Sequence, residues 1–424
     1  MHIDAVTMGK TMAKISSVHA REVLDSRGRP TVEVEVAVES GARGVAMVPS
    51  GASVGRHEAI ELRDGDPARF QGRGVLKAVE NVNSVIAPLL RDWDVVQQRK
   101  IDCMLIELDG TANKSKLGAN AILAVSLACA RAAANVVELP LYRYIGGLSG
   151  KRLPLPMVSL VCGGEHAGWN LDFQDFFIVP VGAGGYREAV VMASDVYATL
   201  KEKILSMGFR GVSDTGGFTP VLKANREALG LIRTAIEDAG YKLSTDISIG
   251  IDVASAMFFE DGRYHLRAEN RWLSSEEMID LLQEMVEEYQ LVALEDGLNE
   301  DDWDNWKKLT GRLKGKVKLI GDDLFATNPD RLSKGIEMGV GDAILVKLNQ
   351  IGTLTECMDV VGIAKESGYD VIVSKRSGET EDTTIADLAV ATGALWTKFG
   401  SLARSECLAK YNRMLKIAEE LSLC

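Results

Sequence analysis

What most constrains the fold of this chain is a series of six short apolar runs, each closed by a charged residue. Ile247 to Ile251 ends at Asp252, Leu291 to Leu294 at Glu295, Val317 to Ile320 just before Asp322, Ala343 to Val346 at Lys347, Val371 to Val373 just before Lys375, and Trp396 precedes Lys398. The charged residues follow one another at intervals of 43, 27, 25, 28 and 23 residues, and most of these intervals hold one strand, one helix and two loops. Amphipathic patterns over Asn225 to Ala239, Ser275 to Tyr289 and Thr353 to Ser367 predict the helices. A closed βα barrel brings the carboxyl ends of its strands to one rim and would gather all six charges there. An open doubly wound sheet is the alternative, but no G-x-G-x-x-G follows a first strand, as a nucleotide-binding version would require.

The first third of the chain follows a different pattern. Thr31 to Val38 alternates Val32, Val34, Val36 and Val38 with Glu33 and Glu35, which predicts a strand with one buried face and a hairpin partner near Gly44 to Val48. Helical patterns follow from Gly74 to Leu90 and from Ala119 to Val137. Strands that precede helices indicate an α+β unit. The Gly- and Pro-rich stretch Gly146 to Pro156 marks the expected boundary, giving a capping domain over residues 1–150 and a barrel over residues 151–424. A chain of 424 residues is long enough for two cores.

The net charge of −12 repels nucleic acid and anionic membranes at long range, so a small molecule is the expected partner. An anionic substrate must then be captured by a local cluster of Lys, Arg or metal. The six cysteines include no C-x-x-C pair, which argues against a zinc knuckle or disulfide framework. Met1 to Lys14 has no apolar signal core and Cys424 no prenylation box, so a cytoplasmic location is expected. Ala119 to Val137 is long enough to raise the question of a membrane span, but Asn120, Ser126, Arg131 and Asn135 interrupt it and favour a buried helix.

Asp252, Glu295 and Asp322 form an all-oxygen set that suits a hard cation such as Mg²⁺, although any one of them alone reads as a strand-end acid capping the next helix. Lys347 and Lys398 end strands in apolar surroundings, where burial would lower the pKa and let a lysine act as a base. Lys375, Arg376 and Ser377 are compact phosphate-capable donors, or else a solvated loop. Ser50 to Gly55 is donor-rich and reads either as a lid with metal ligands or as a surface turn, and His166 follows the pair Gly163 and Gly164.

Taken together these stretches resemble the enolase family. The resemblance rests on Val18-His-Ala-Arg-Glu-Val-Leu-Asp-Ser-Arg27, Pro49-Ser-Gly-Ala-Ser53, Glu61-Leu-Arg-Asp-Gly-Asp66 and Leu108-Asp-Gly-Thr111 in the first part. Gly163-Gly-Glu-His-Ala167, Leu294-Glu-Asp296, Gly321-Asp-Asp-Leu324, Lys347-Leu-Asn-Gln-Ile-Gly352 and Arg376-Ser-Gly-Glu-Thr-Glu381 carry it in the second. It implies an α/β protein with a C-terminal eight-stranded barrel, a smaller N-terminal α+β domain and assembly as a homodimer or larger homo-oligomer. It also implies two Mg²⁺ per active site, the first on Asp252, Glu295 and Asp322 and the second with help from Ser53. Lys347 would be the base that takes the C2 proton, and Lys398 would neighbour the substrate carboxylate. Arg376 and Ser377 would hold the phosphate, and His166 and Gln174 would line the pocket.

Three positions depart from the family pattern. Where enolases have Gly-Asp-Glu-Gly-Gly this chain has Ser213-Asp-Thr-Gly-Gly217, so Thr215 replaces the glutamate that protonates the departing hydroxide. Lys375 stands for a histidine, and Asp175 for the glutamate of a Gln-Glu-Phe stretch. A threonine hydroxyl is too weak an acid for that role, and loss of a positioned general acid costs about 10²–10⁴-fold. Ordinary dehydration is expected to be slow unless Lys375 serves as the acid. The exchange of one carboxylate for an ammonium favours a more anionic guest. The expected activity is Mg²⁺-dependent proton abstraction from a 2-phosphoglycerate- or phosphoenolpyruvate-like acid, in the most specific form that of carboxyphosphonoenolpyruvate synthase in phosphonate metabolism. A conventional phosphopyruvate hydratase with a rearranged acid and a non-catalytic paralogue are the alternatives.

Overall fold

The computed structural model describes residues 13–51, 55–148 and 153–422. The chain divides into two compact units, one of Met1–Lys151 with Lys347–Val361 and Arg376–Thr392, the other of Arg152–Val346, Gly362–Lys375 and Gly393–Cys424.

In the first unit β1 (Ile15–Leu24), β2 (Pro30–Val38) and β3 (Arg43–Met47) form an antiparallel sheet in that order. Val32, Val34, Val36 and Val38 are buried while Glu33 and Glu35 lie on the wetter face, as the alternation requires. There Glu33 pairs with Arg21 of β1 and Glu35 with Arg43 of β3. The helix Ala119–Val136 packs on the buried face. It is apolar and long enough to cross a membrane, yet 83% of that stretch is buried, the burial of a core helix. Gly44 permits its approach: a Cβ there would sit 2.1 Å from the Ala128 carbonyl oxygen and 2.3 Å from the Ala132 nitrogen. Arg131, which interrupts the apolar run, is paired with Asp382 and Thr384.

The helix expected over Gly74 to Leu90 is broken into Leu76–Glu80, a wide π turn at Asn81–Ile86, and Ala87–Leu90. Pro88 explains the break, because it has no N–H to return to the turn before it.

The second unit contains a closed eight-stranded barrel. Its strands are β4 (Leu155–Cys162), β5 (Asp175–Val179) and β6 (Ser248–Asp252), then β10 (Ala293–Glu295), β11 (Lys318–Gly321), β12 (Ala343–Val346), β13 (Asp370–Ser374) and β14 (Trp396–Lys398). Between β6 and β10 a small antiparallel sheet is formed by β7 (Phe259–Glu260), β8 (Arg263–Leu266) and β9 (Arg271–Leu273). Met157, Phe177, Val179, Ala293, Ile320, Leu345, Ile372 and Trp396 fill the barrel core. Two of the expected helices appear at Asn225–Asp238 and Ser275–Tyr289, the second opened by a capping box of Ser274 and Glu277. The third is found at Leu354–Glu366.

Simple βα repetition fails at one point. β5 is antiparallel to both β4 and β6, whereas the other neighbouring pairs run parallel. Residues 163–174, which join β4 to β5, hold only the 3₁₀ turn Glu165–Ala167, and a link without a crossover helix returns the chain antiparallel. The start of β5 therefore lies beside the end of β6, with Asp175 in register with Asp252. This reversal adds residues 174 and 175 to the rim where the other strands end.

Candidate active site

Three charged residues close barrel strands at this rim. Asp252 ends β6 and stands in register with Glu295, the last residue of β10. Lys398 ends β14, and its Nζ lies 2.7 Å from Asp252 Oδ2 and 2.7 Å from Glu295 Oε2. Gln174 Nε2 donates to the same Asp252 oxygen at 2.8 Å. All three charged side chains are buried. Burial opposes the charge on Lys398, but Asp252, Glu295 and Asp175 together outweigh it and hold its pKa well above that of an ordinary lysine. The expectation that burial would lower this pKa and make Lys398 a base is thus overturned: the acids that flank it keep it cationic.

Asp322 follows β11 by one residue. Its neighbourhood contains two acids that the sequence reading did not single out, Asp296 and Asp323. Carboxylate oxygens of Asp296, Asp322 and Asp323 come within 4.8 Å of one another, a spacing that suits a shared cation. Asp296 accepts the backbone N–H groups of Asp322 and Asp323 at 3.0 and 2.8 Å and adopts a left-handed φ of 44°. Burial first, and then the charges of Asp323 and Asp322, raise its carboxyl far above the usual range. The doublets Glu295-Asp296 and Asp322-Asp323 were the available signal. The donor set fits Mg²⁺, since every candidate ligand is a carboxylate, while the ammonium of Lys398 is the counter-charge to Asp252 and Glu295.

Thr215, Asp175 and Lys375 also belong to the barrel unit. Thr215 Oγ1 lies 3.0 Å from Ser213 Oγ and 3.4 Å from Cys162 Sγ, and its carbonyl accepts the Ser401 N–H at 2.9 Å. Asp175 accepts from Ser159 Oγ at 2.5 Å and from Cys162 Sγ at 3.6 Å. Burial raises the Asp175 carboxyl, opposed mainly by Lys398 and Ser159, and pushes the Cys162 thiol up to about 12. The charge of Lys375 acts on both Asp175 and Cys162, and its backbone N–H bonds the Lys398 carbonyl at 3.0 Å. The fold therefore brings Thr215 and Asp175 onto one buried thiol, Cys162, on which the charge of Lys375 also acts. That thiol carried no motif and was legible only as one apolar position in β4.

In the first unit the Arg376 guanidinium is buried against Glu58, which accepts from Nη1 at 2.6 Å and from Nη2 at 3.2 Å, while Asn349 Oδ1 accepts from Nη1 at 3.0 Å. Ser377 Oγ accepts from Arg27 Nη1 at 3.3 Å. Glu58 and Arg27 are partners that sequence reasoning missed, although Arg27 stands in a quoted motif. Lys347 follows β12 directly. Ser53 and part of the Ser50 to Gly55 stretch lie outside the described residues, as does the His166 side chain.

Comparison with known families bears on the whole chain. The family described as the enolase C-terminal TIM barrel domain matches residues 150–423, and the enolase N-terminal domain matches residues 15–145. The chain belongs to the enolase family. The closed barrel and the smaller unit of strands and helices are thus those of an enolase-superfamily protein, a lyase-type enzyme class.

Proposed function

We propose that this chain is a Mg²⁺-dependent enzyme that takes the C2 proton from a 2-phosphoglycerate- or phosphoenolpyruvate-like acid and accommodates a further anionic group where the ordinary substrate carries its leaving hydroxyl. Carboxyphosphonoenolpyruvate synthase chemistry is its most specific form. The observation that carries the reading is the hydrogen bonding of Thr215 and Asp175. Thr215 is engaged by Ser213 and Cys162, and Asp175 by Ser159 and Cys162, which supports the reading that neither serves as the proton donor to a leaving group. Lys375 contributes positive charge at that end.

In this reading Lys347 removes the proton, Arg376 and Ser377 hold the phosphate, and His166 and Gln174 line the pocket. Lys398, kept cationic by its acidic neighbours, stabilises the carboxylate of the substrate. Mg²⁺ on Asp252, Glu295 and Asp322 would neutralise the charge that develops on that carboxylate, and Ser53 would assist a second ion. We further propose a cytoplasmic homodimer or larger homo-oligomer.

The test is Mg²⁺-dependent exchange of the C2 proton in deuterated water, with 2-phosphoglycerate and more anionic phosphorylated or phosphonylated three-carbon acids as probes. Exchange without rapid loss of hydroxide is expected. Absence of exchange with every probe would sink the enzymatic reading and favour a non-catalytic paralogue. Steady formation of phosphoenolpyruvate from 2-phosphoglycerate at a conventional hydratase rate would rule out the specialised reading and assign the acid role to Lys375.

A further inference from the structure

Residues 163–174, between β4 and β5, deliver Gln174 to the metal-binding acid Asp252. Gln174 is bonded to Asp252 twice, by its backbone N–H to the carbonyl at 3.0 Å and by Nε2 to Oδ2 at 2.8 Å. The segment ahead of it has little regular structure and includes a left-handed Trp169 at φ 63°. Its own turn bonds, from the Gly164 N–H to the Leu171 carbonyl at 2.9 Å and from the Trp169 N–H to the Gly164 carbonyl at 2.8 Å, are supplemented by contacts from outside it.

Such contacts converge on the turn after β8. Asp172 is buried, and its Oδ1 accepts the backbone N–H groups of Arg267 at 2.6 Å and Ala268 at 3.2 Å, while Oδ2 accepts from Asn225 Nδ2 at 3.3 Å. Asn225 returns the bond by accepting the Phe173 N–H at 3.0 Å. The Arg267 side chain turns back over the segment, its guanidinium carbon 4.3 Å from the centre of the Trp169 ring. A single residue, Arg267, therefore meets the segment at two points, by its backbone at Asp172 and by its side chain at Trp169. The turn is itself stiffened by the parallel stack of His265 on Trp272, at 4.1 Å between centroids.

We infer that Arg267, acting through Trp169 and Asp172, is a positioning residue that clasps segment 163–174 and thereby fixes Gln174 on Asp252. The metal-related part rests on the reading above that Asp252 is a metal ligand. The clasp itself does not. None of its members touches substrate in this account, so its effect is on the order of the segment and on metal affinity rather than on a chemical step.

Backbone hydrogen exchange of residues 164–174 and the affinity for Mg²⁺ alone, by calorimetry, test it on the full chain. R267A removes the cation over the ring but leaves both backbone N–H groups bonded to Asp172, so the turn keeps its shape. Exchange in the segment is expected to rise by about fivefold, the scale of a partly buried cation–π contact, and Mg²⁺ affinity to fall several-fold. W169A should match R267A, W169F and R267K should recover much of the loss, and D172A should exceed it. Because Arg267 also pairs with Glu260 at 2.7 Å, E260Q serves as the control and should leave both readouts unchanged. Unchanged exchange in both R267A and W169A would overturn the clasp, and faster exchange at unaltered Mg²⁺ affinity would overturn the positioning of Asp252. A wild-type chain that exchanges no substrate proton would refute the proposed function while leaving the exchange result to judge the clasp.

Discussion

Replacement of Lys398 by methionine isolates the electrostatics of the barrel rim. The ammonium lies 2.7 Å from a carboxylate oxygen of both Asp252 and Glu295, and all three groups are buried. At that separation, and with an effective dielectric constant near 20, each contact is worth roughly 6 kcal/mol before the cost of desolvation is subtracted. Removal of one partner from a buried ion pair costs about 3–5 kcal/mol, because the charge left behind has neither water nor a counterion. In a unit of this size that corresponds to a fall in unfolding midpoint of about 10 °C. K398M, close to lysine in volume, should show this fall in the presence of a chelator. Mg²⁺ should then raise the midpoint of K398M more than that of the wild type, since it supplies the missing positive charge to the same acids.

The sign with pH follows from the raised pKa. The stabilisation by Lys398 is fully present below the unfolded value of 10.5 and is lost only as pH rises through the higher folded value, so wild type and K398M should differ throughout the neutral range. Differential scanning fluorimetry with and without Mg²⁺ is the assay. Equal midpoints for the two proteins in chelator, or equal Mg²⁺ shifts, would refute the argument that Lys398 neutralises the two acids.

Two further outcomes probe the first unit. G44A places a methyl group 2.1 Å from the Ala128 carbonyl oxygen and 2.3 Å from the Ala132 nitrogen, both backbone atoms of a buried helix that have little freedom to yield. It should destabilise by at least the roughly 1–3 kcal/mol of ordinary overpacking, measured by denaturant unfolding, and an unchanged midpoint would show that the helix can shift away from β3. Glu22 has a lowered pKa, chiefly through its hydrogen bond to Arg69, so its contribution is present above the ordinary value of 4.5 and is lost as pH falls through the lower folded value. E22Q should therefore be less stable than wild type at pH 7, by up to about 1 kcal/mol for so accessible a pair, with the gap closing in acid. A gap that persists at low pH would assign the loss to packing instead.

Local periodicity made much of this protein legible before any coordinates. The alternation of valines with glutamates placed β2, with one face buried. The strand-end charges placed β6, β10, β12 and β14, and the helical spacing placed Ser275–Tyr289 to the residue. These are consequences of side-chain direction, which repeats every two or 3.6 residues and needs no knowledge of the rest of the chain. The family motifs added the roles expected of single residues.

Closure of the tertiary structure decided the rest. The reversal of β5 follows from a short link, but only the closed barrel puts Asp175 beside Asp252. Asp175 meets Cys162 and Ser159, and Arg376 meets Glu58 318 positions away, through contacts that no local pattern announces. The protonation of Lys398 went against the sequence reading for the same reason. Burial alone predicts a lowered pKa, whereas the outcome depends on which charges share the burial, and long-range folding places Asp252 and Glu295 there. The sequence by itself determined which residue types would stand at the strand ends. The tertiary structure determined their partners, because hydrogen bonds and Coulomb interactions depend on distance in space and not on separation along the chain.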